Sequence, residues 1–175
     1  MINGGITRLA KFGEPPPTPP PTEFSSFNSA PPDSGFTNAS SGFTVGMQFS
    51  IDVPFVLTQM GRFYDGADVQ DHTVGLWDTG GNLLAFASVS AATASDAFGI
   101  KWSTTGMVNV PLPAGTYYLA VFEDVDASKA VWTPDLNPHL ICNGSAYAAG
   151  SMNYPGANFV PDGQMYSGAA FKFTV

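Results

Sequence analysis

Between residues 43 and 53 the chain alternates with a period of two. Phe43, Val45, Met47, Phe49, Ile51 and Val53 fall on one side, and Thr44, Gly46, Gln48, Ser50 and Asp52 on the other. This is the pattern of a half-buried antiparallel strand, one face in a core and the other towards water. Pro54 has no amide hydrogen for a ladder and so ends the strand or marks an edge. Further strands are predicted over 55–64 and 73–77, after which Asp78-Thr79-Gly80-Gly81-Asn82 reads as a tight hairpin turn into a strand over 83–89. Strands over 98–102, 107–112 and 116–123 follow. The chain closes on a second clean alternation, with Ala169, Phe171, Phe173 and Val175 opposite Lys172 and Thr174. The tract 133–168, with its Pro, Gly, Asn and small residues, predicts long loops and one or two short strands.

Strands this frequent, separated by turn clusters and without a convincing helical window, predict an all-β fold: an antiparallel β-sandwich, jelly-roll-like. The predicted domain spans 23–175. Ahead of it lie two segments of different character. Residues 1–14 carry Ile2, Ile6, Leu9 and Phe12 at spacings of four, three and three, a small apolar stripe for a short helix weakened by Gly4 and Gly5. A helix this short is marginal alone, so the stripe reads either as a frayed tail or as a docking peptide that orders on a partner. Residues 15–22 hold six prolines in eight positions and enforce polyproline II. At about 3.1 Å per residue that is a stiff spacer of roughly 25 Å, holding tail and body apart.

Composition sharpens this picture. Of 175 residues only 11% are charged, while Gly (19), Pro (15) and Phe (14) are abundant, which disfavours helices and favours turns and strands. Fourteen acids against six bases leave a net charge of −8, a surface that repels phosphate backbones, so nucleic acid is not an expected partner. No apolar run reaches the length of a membrane span. Cys142 is the only cysteine, which excludes an intramolecular disulfide and a cysteine-cluster zinc site. The first residues lack the basic start and apolar stretch of a signal peptide, so the chain is expected to be made in a cytoplasm and, if it works outside a cell, to leave without Sec cleavage; release by lysis inside a virus particle would do that, as would prior removal of a signal.

Several short patterns together carry a resemblance. Gly61-Arg62-Phe63-Tyr64, His72-Thr73-Val74-Gly75-Leu76-Trp77-Asp78, Gly81-Asn82-Leu83-Leu84-Ala85 and Pro113-Ala114-Gly115-Thr116-Tyr117-Tyr118-Leu119, with the closing stretch 166–173, resemble the bacterial domain of unknown function number 4082. The resemblance covers about 43–175 and not the tail. It implies an extracellular accessory β-sandwich of the kind found beside carbohydrate-active modules, and no catalytic residues.

Candidate chemistry is sparse. Asp78-Thr79-Gly80 matches the aspartic-protease tripeptide, but that chemistry needs two such aspartates and there is no second copy, so the turn reading prevails. His72 and His139 are not at metal-ligand spacing; His72 reads as a strand or rim residue bonded to its neighbours. Asp65, Asp68 and Asp71 share one loop, and Glu123, Asp124 and Asp126 follow a strand. Acidic loops at sandwich edges supply the oxygen ligands calcium needs, yet the alternating Asp pattern is missing and such loops are ordinarily just solvated. Trp77 and Trp102 lie in strands and read as core. Trp132 and Tyr154 lie in loop-like sequence and are the candidate ligand contacts, since exposed aromatic faces stack on sugars.

Two functional expectations result, neither enzymatic. The first is a virion structural or adhesion protein, a phage decoration, fibre or head-tail accessory protein. Ile2, Ile6, Leu9 and Phe12 would dock on a capsid or tail protein, and the sandwich would face solvent or a host glycan, the head a homo-oligomer with a trimer favoured. The alternative is a carbohydrate-binding accessory module of a bacterial surface or secreted protein, with an extracellular or cell-surface location. No cofactor is expected beyond the calcium considered above.

Overall fold

The computed structural model describes residues 21–29, 42–64, 69–104, 109–123, 131–166 and 168–175. Ile2, Ile6, Leu9, Phe12, the prolines up to Pro20, and the loop acids Asp65, Asp68, Asp124 and Asp126 lie outside the described residues. The strands, in chain order, are β1 (Glu23–Ser25), β2 (Phe43–Ile51), β3 (Phe55–Phe63), β4 (His72–Asp78), β5 (Leu83–Val89), β6 (Ile100–Trp102) and β7 (Val110–Leu112). They continue with β8 (Gly115–Glu123), β9 (Val131–Trp132), β10 (Leu140–Ala149), β11 (Asn158–Val160), β12 (Met165–Tyr166) and β13 (Ala169–Thr174). Among the described residues one 3-10 turn, Pro155–Ala157, interrupts them.

Two antiparallel sheets pack face to face as a β-sandwich. The five-stranded sheet runs β1-β13-β3, with β6 and β7 both paired to β3; the six-stranded sheet runs β11-β10-β2-β8-β4-β5. The apolar sides of the period-two strands face the core as expected, although β2 ends at Ile51, leaving Val53 outside it, and Thr44 and Gly46 are buried on its other side as well. In β2, Val45, Met47, Phe49 and Ile51 are buried against the opposite sheet, where Leu57, Met60, Phe171 and Phe173 meet them. Phe49 and Phe171 have ring centroids 5.2 Å apart, and Phe55 and Phe173 4.5 Å. Full burial of each such side chain is worth about 1.5–3 kcal/mol, which makes these inner faces the main driving force of the fold.

The hairpin between β4 and β5 forms as the turn residues predict. The Asn82 amide donates to the Asp78 carboxylate at 2.9 Å, and Gly81 sits at φ +85°, where a side chain would be strained. Three sequence expectations are corrected. The tract 133–168 keeps its loops but is not limited to short strands, because it contains the ten-residue β10, paired to β2 along nearly its whole length. Val175 does not join the inner face of the last strand; β13 ends at Thr174 and Val175 is 61% exposed. The strand expected over 98–102 shrinks to β6, because Asp96 draws the amides of Phe98 and Ile100 into a turn; of the strand expected over 107–112, residues 107 and 108 lie outside the described residues and β7 covers Val110–Leu112.

Candidate functional site on the outer face of the six-stranded sheet

Two groups of polar side chains stand out, one between the sheets and one on an outer face. The inner group joins Arg62 of β3, on one sheet, to Glu123 and His72 of β8 and β4, on the other. The Arg62 guanidinium reaches both Glu123 oxygens, at 2.8 and 3.0 Å, and both side chains are fully buried. His72 Nδ1 lies 3.1 Å from the Phe122 carbonyl and 3.3 Å from Glu123 Oε2. Both neighbours are acceptors, so that nitrogen carries the hydrogen. The Tyr64 ring lies beneath the Arg62 guanidinium, 4.9 Å from its centroid, and the Tyr64 hydroxyl donates to the Val89 carbonyl at 2.8 Å. The residues of the Gly-Arg-Phe-Tyr and His-Thr-Val patterns thus meet inside the sandwich as a cross-tie between sheets. Sealed from solvent, this group has no access for a ligand, and its chemistry is structural.

This placement revises the acidic-loop reading. Glu123 is not a solvated loop carboxylate; it turns inward to Arg62. Asp71 is engaged too, accepting from Ser90 Oγ and the Ala91 amide, both at 2.9 Å. These bonds, the Ala91 amide first, hold its carboxyl below the usual carboxylate range. Among the described residues no three His, Cys, Asp or Glu side chains converge on a metal position.

The outer group lies across β10, β2 and β8 on the face turned away from the core. Gln48 Nε2 donates to the Tyr118 hydroxyl at 2.5 Å. Asn143 Nδ2 donates to Gln48 Oε1 at 3.2 Å and to Ser50 Oγ at 2.8 Å, and Ser50 Oγ is 3.0 Å from Thr116 Oγ1. A β-bulge makes this ladder. Cys142 pairs with Phe49 and Gly144 with Gln48, so Asn143 is the extra residue and its side chain is brought alongside the polar row of β2. Apart from the buried Tyr118, these residues are half-buried and uncharged.

One side of the ladder is walled by a small second core. Trp77, Tyr118, Ala120 and Ala146 are buried there beneath Met152, Tyr154 and Phe159. Trp77 is therefore a core residue as expected, but of this outer cluster and not of the inter-sheet core; Trp102 belongs to the latter. Gly75 makes room for it, since a Cβ there would fall 2.4 Å from the Trp77 ring and 2.6 Å from Met152 Cε. Tyr154 stands edge-on to Tyr118 at 5.1 Å, and its hydroxyl donates to the Thr79 carbonyl at 3.1 Å. Burial, then the neighbouring Tyr118 hydroxyl, pushes the Tyr154 pKa up to about 12, so it stays a neutral donor. Tyr154 is thus a half-buried pillar at the rim of the ladder. The backbone of Trp132 lies in β9, paired with β12. Sequence reasoning did not single out Gln48, Ser50, Thr116 and Asn143. For Gln48 and Ser50 the one signal was the amide and hydroxyl on the polar side of β2.

The family described as Domain of unknown function (DUF4082) matches residues 29–165, most of the chain. No curated protein matches it. The chain belongs to this family.

Proposed function

From membership of this family and the geometry above, we propose that the chain is a non-catalytic binding module whose sandwich recognises carbohydrate through the outer face of its six-stranded sheet. The observation that carries this reading is the amide–hydroxyl ladder formed by Gln48, Asn143, Ser50, Thr116 and Tyr118. Its internal bonds use one Gln48 amide hydrogen and both Asn143 amide hydrogens, leaving acceptor capacity on the Asn143 carbonyl and on the hydroxyls. Such a row matches the alternating donors and acceptors of a sugar's hydroxyls, and fixed polar groups beside an aromatic wall are what orients a small ligand. The absence of charge in the ladder, in a chain of net charge −8, suits a neutral glycan better than an acidic one.

Affinity electrophoresis through gels containing neutral polysaccharides tests this. Wild type is retarded and the Gln48→Ala/Asn143→Ala double variant is not; equal mobility of the two in every gel contradicts the reading.

A second reading concerns where the module works. The apolar stripe Ile2, Ile6, Leu9 and Phe12, followed by the polyproline spacer, favours a virion protein anchored on a capsid or tail protein and displaying the sandwich towards a host surface. In that setting many anchored copies make weak glycan contacts useful through avidity. Full-length protein co-sediments with particles from its source and an Ile6→Asp/Leu9→Asp variant does not; equal sedimentation of both removes the anchor.

A further inference from the structure

Sheet edges carry unpaired backbone N–H and C=O groups, and natural folds blunt them with short strands, charges, proline or bulges. Most edges of this molecule are blunted. In the five-stranded sheet, β1 has three residues and its Glu23 lies 3.6 Å from Lys172. β6 carries Lys101, and β7 carries Pro111. At one end of the six-stranded sheet, β11 has three residues and is followed by Pro161. The other end is β5, Leu83-Leu84-Ala85-Phe86-Ala87-Ser88-Val89, which has seven residues with neither charge nor proline. Among the described residues its strand partner is β4 alone. A bulge at Leu84 bends its first turn, because Leu76 pairs with Ala85 and Trp77 with Leu83, and a regular edge remains over 85–89. Leu83, Leu84 and Phe86 are exposed, Phe86 by 64%, and with Val110 they line an open apolar hollow.

We propose that β5 is a self-association edge, on which a second copy of this chain pairs antiparallel about a two-fold axis and joins two six-stranded sheets into one. Charge selects the occupant. Over most of its surface a protein of net charge −8 repels its own copies, whereas here two uncharged strands meet. The flanking acids do not oppose the pairing. Asp78 and Asp71 sit at opposite ends of β4, so in the dimer Asp78 of one copy and Asp71 of the other stand three strand spacings apart. At about 4.8 Å per spacing that is roughly 14 Å, beyond a Debye length of about 8 Å at physiological salt. Antiparallel pairing of a strand with itself is self-complementary, and it closes at two copies in place of the trimer the sequence suggested. With the two-fold axis at Ala87, the middle of that regular edge, Phe86 of one copy faces Ser88 of the other and lies diagonal to the second Phe86, about 7–8 Å away and within aromatic reach.

Sedimentation velocity from micromolar to submillimolar protein tests the proposal on the full chain, with Phe86→Lys as the edge variant and Ile141→Lys as control. Ile141 is 61% exposed but lies on β10, away from this edge. Wild type and Ile141→Lys form a dimer, while Phe86→Lys raises the dimer dissociation constant by at least about tenfold. Added salt tightens the dimer, since it screens the acidic bodies and breaks no ion pair. A wild-type monomer throughout, equal loss in both variants, or a dimer indifferent to Phe86→Lys overturns the proposal. Should Phe86→Lys fail to fold, amide exchange of wild type decides: protection of 85–89 rises with concentration, and no change overturns it. Capture of an extended peptide from another protein on β5 by a wild-type monomer counts against a second copy as occupant.

Discussion

The inter-sheet cluster of Arg62, Glu123 and His72 and the outer ladder of Gln48, Asn143, Ser50, Thr116 and Tyr118 are both hydrogen-bonded polar networks, yet they stand in opposite relation to water. In the first, two full charges are sealed between apolar sheets, so each requires the other in order to be there at all. In the second, half-exposed neutral groups bond one another in competition with solvent, so the fold gains little from them and a ligand can replace the water. The difference separates residues that hold the sandwich together from residues free to serve recognition. Arg62 and His72 of the first group lie in the family's sequence patterns, but so do Thr116 and Tyr118 of the second, so those patterns mark the sandwich as a whole and do not single out a ligand site.

The largest effect expected from this contrast is on folding. Glu123→Ala leaves a buried Arg62 without its counter-charge and lowers stability by about 3–5 kcal/mol in urea unfolding. Removing the pair whole, as Arg62→Met/Glu123→Leu, restores much of that loss, since an apolar pair of similar volume needs no desolvation of charge. A small loss from Glu123→Ala alone would mean that the cross-tie carries little.

Next comes the wall of the ladder. Gly75→Val pushes a side chain into Trp77 and Met152 and costs about 1–3 kcal/mol, read as a shift in the urea midpoint. Glycan retention weakens with it, because Tyr118 is buried in the same cluster. At the ladder itself the order reverses: Asn143→Ala costs only about 0.5–1.5 kcal/mol of stability but removes glycan retention. An Asn143→Ala variant as unstable as Glu123→Ala would erase the distinction between the two groups.

The smallest effect is on pH dependence. The Asn82 side chain, then its amide, holds the Asp78 carboxyl below the usual range, as the Ala91 amide and the Ser90 hydroxyl do for Asp71. A folded pKa below the unfolded value of 3.8 gives stability that is full above that value and fades as pH falls through the folded one. Thermal melts therefore show the full, pH-independent contribution of these turns between pH 7 and pH 5 and a decline below about pH 4 that Asp71→Asn/Asp78→Asn makes shallower.

How much of this was legible in the chain depended on whether a feature was local. β2 and β13 announce themselves because each has one face in the inter-sheet core, and the β4–β5 hairpin because its turn residues are consecutive. β10 does not, for two reasons. The outer cluster and the 3-10 turn cover part of its outer face, so small residues such as Ala146 and Ala148 replace an apolar-polar alternation. The bulge at Asn143 then shifts the phase midway. Glu123 was misleading in a different way, since its neighbours Asp124 and Asp126 make it look like part of an acidic loop while its partner Arg62 lies on another sheet. The ladder was illegible because Asn143, Gln48 and Tyr118 are brought together only by strand register.

The most direct test of the binding face is a titration of isotopically labelled protein with a soluble neutral oligosaccharide, followed by amide and side-chain NMR shifts. The account predicts that shifts gather on Gln48, Ser50, Thr116, Tyr118 and Asn143, the Gln48 and Asn143 side-chain amides moving most, while Arg62 and His72 stay in place. Shifts confined to residues away from β10, β2 and β8, or none with any neutral glycan, would contradict it.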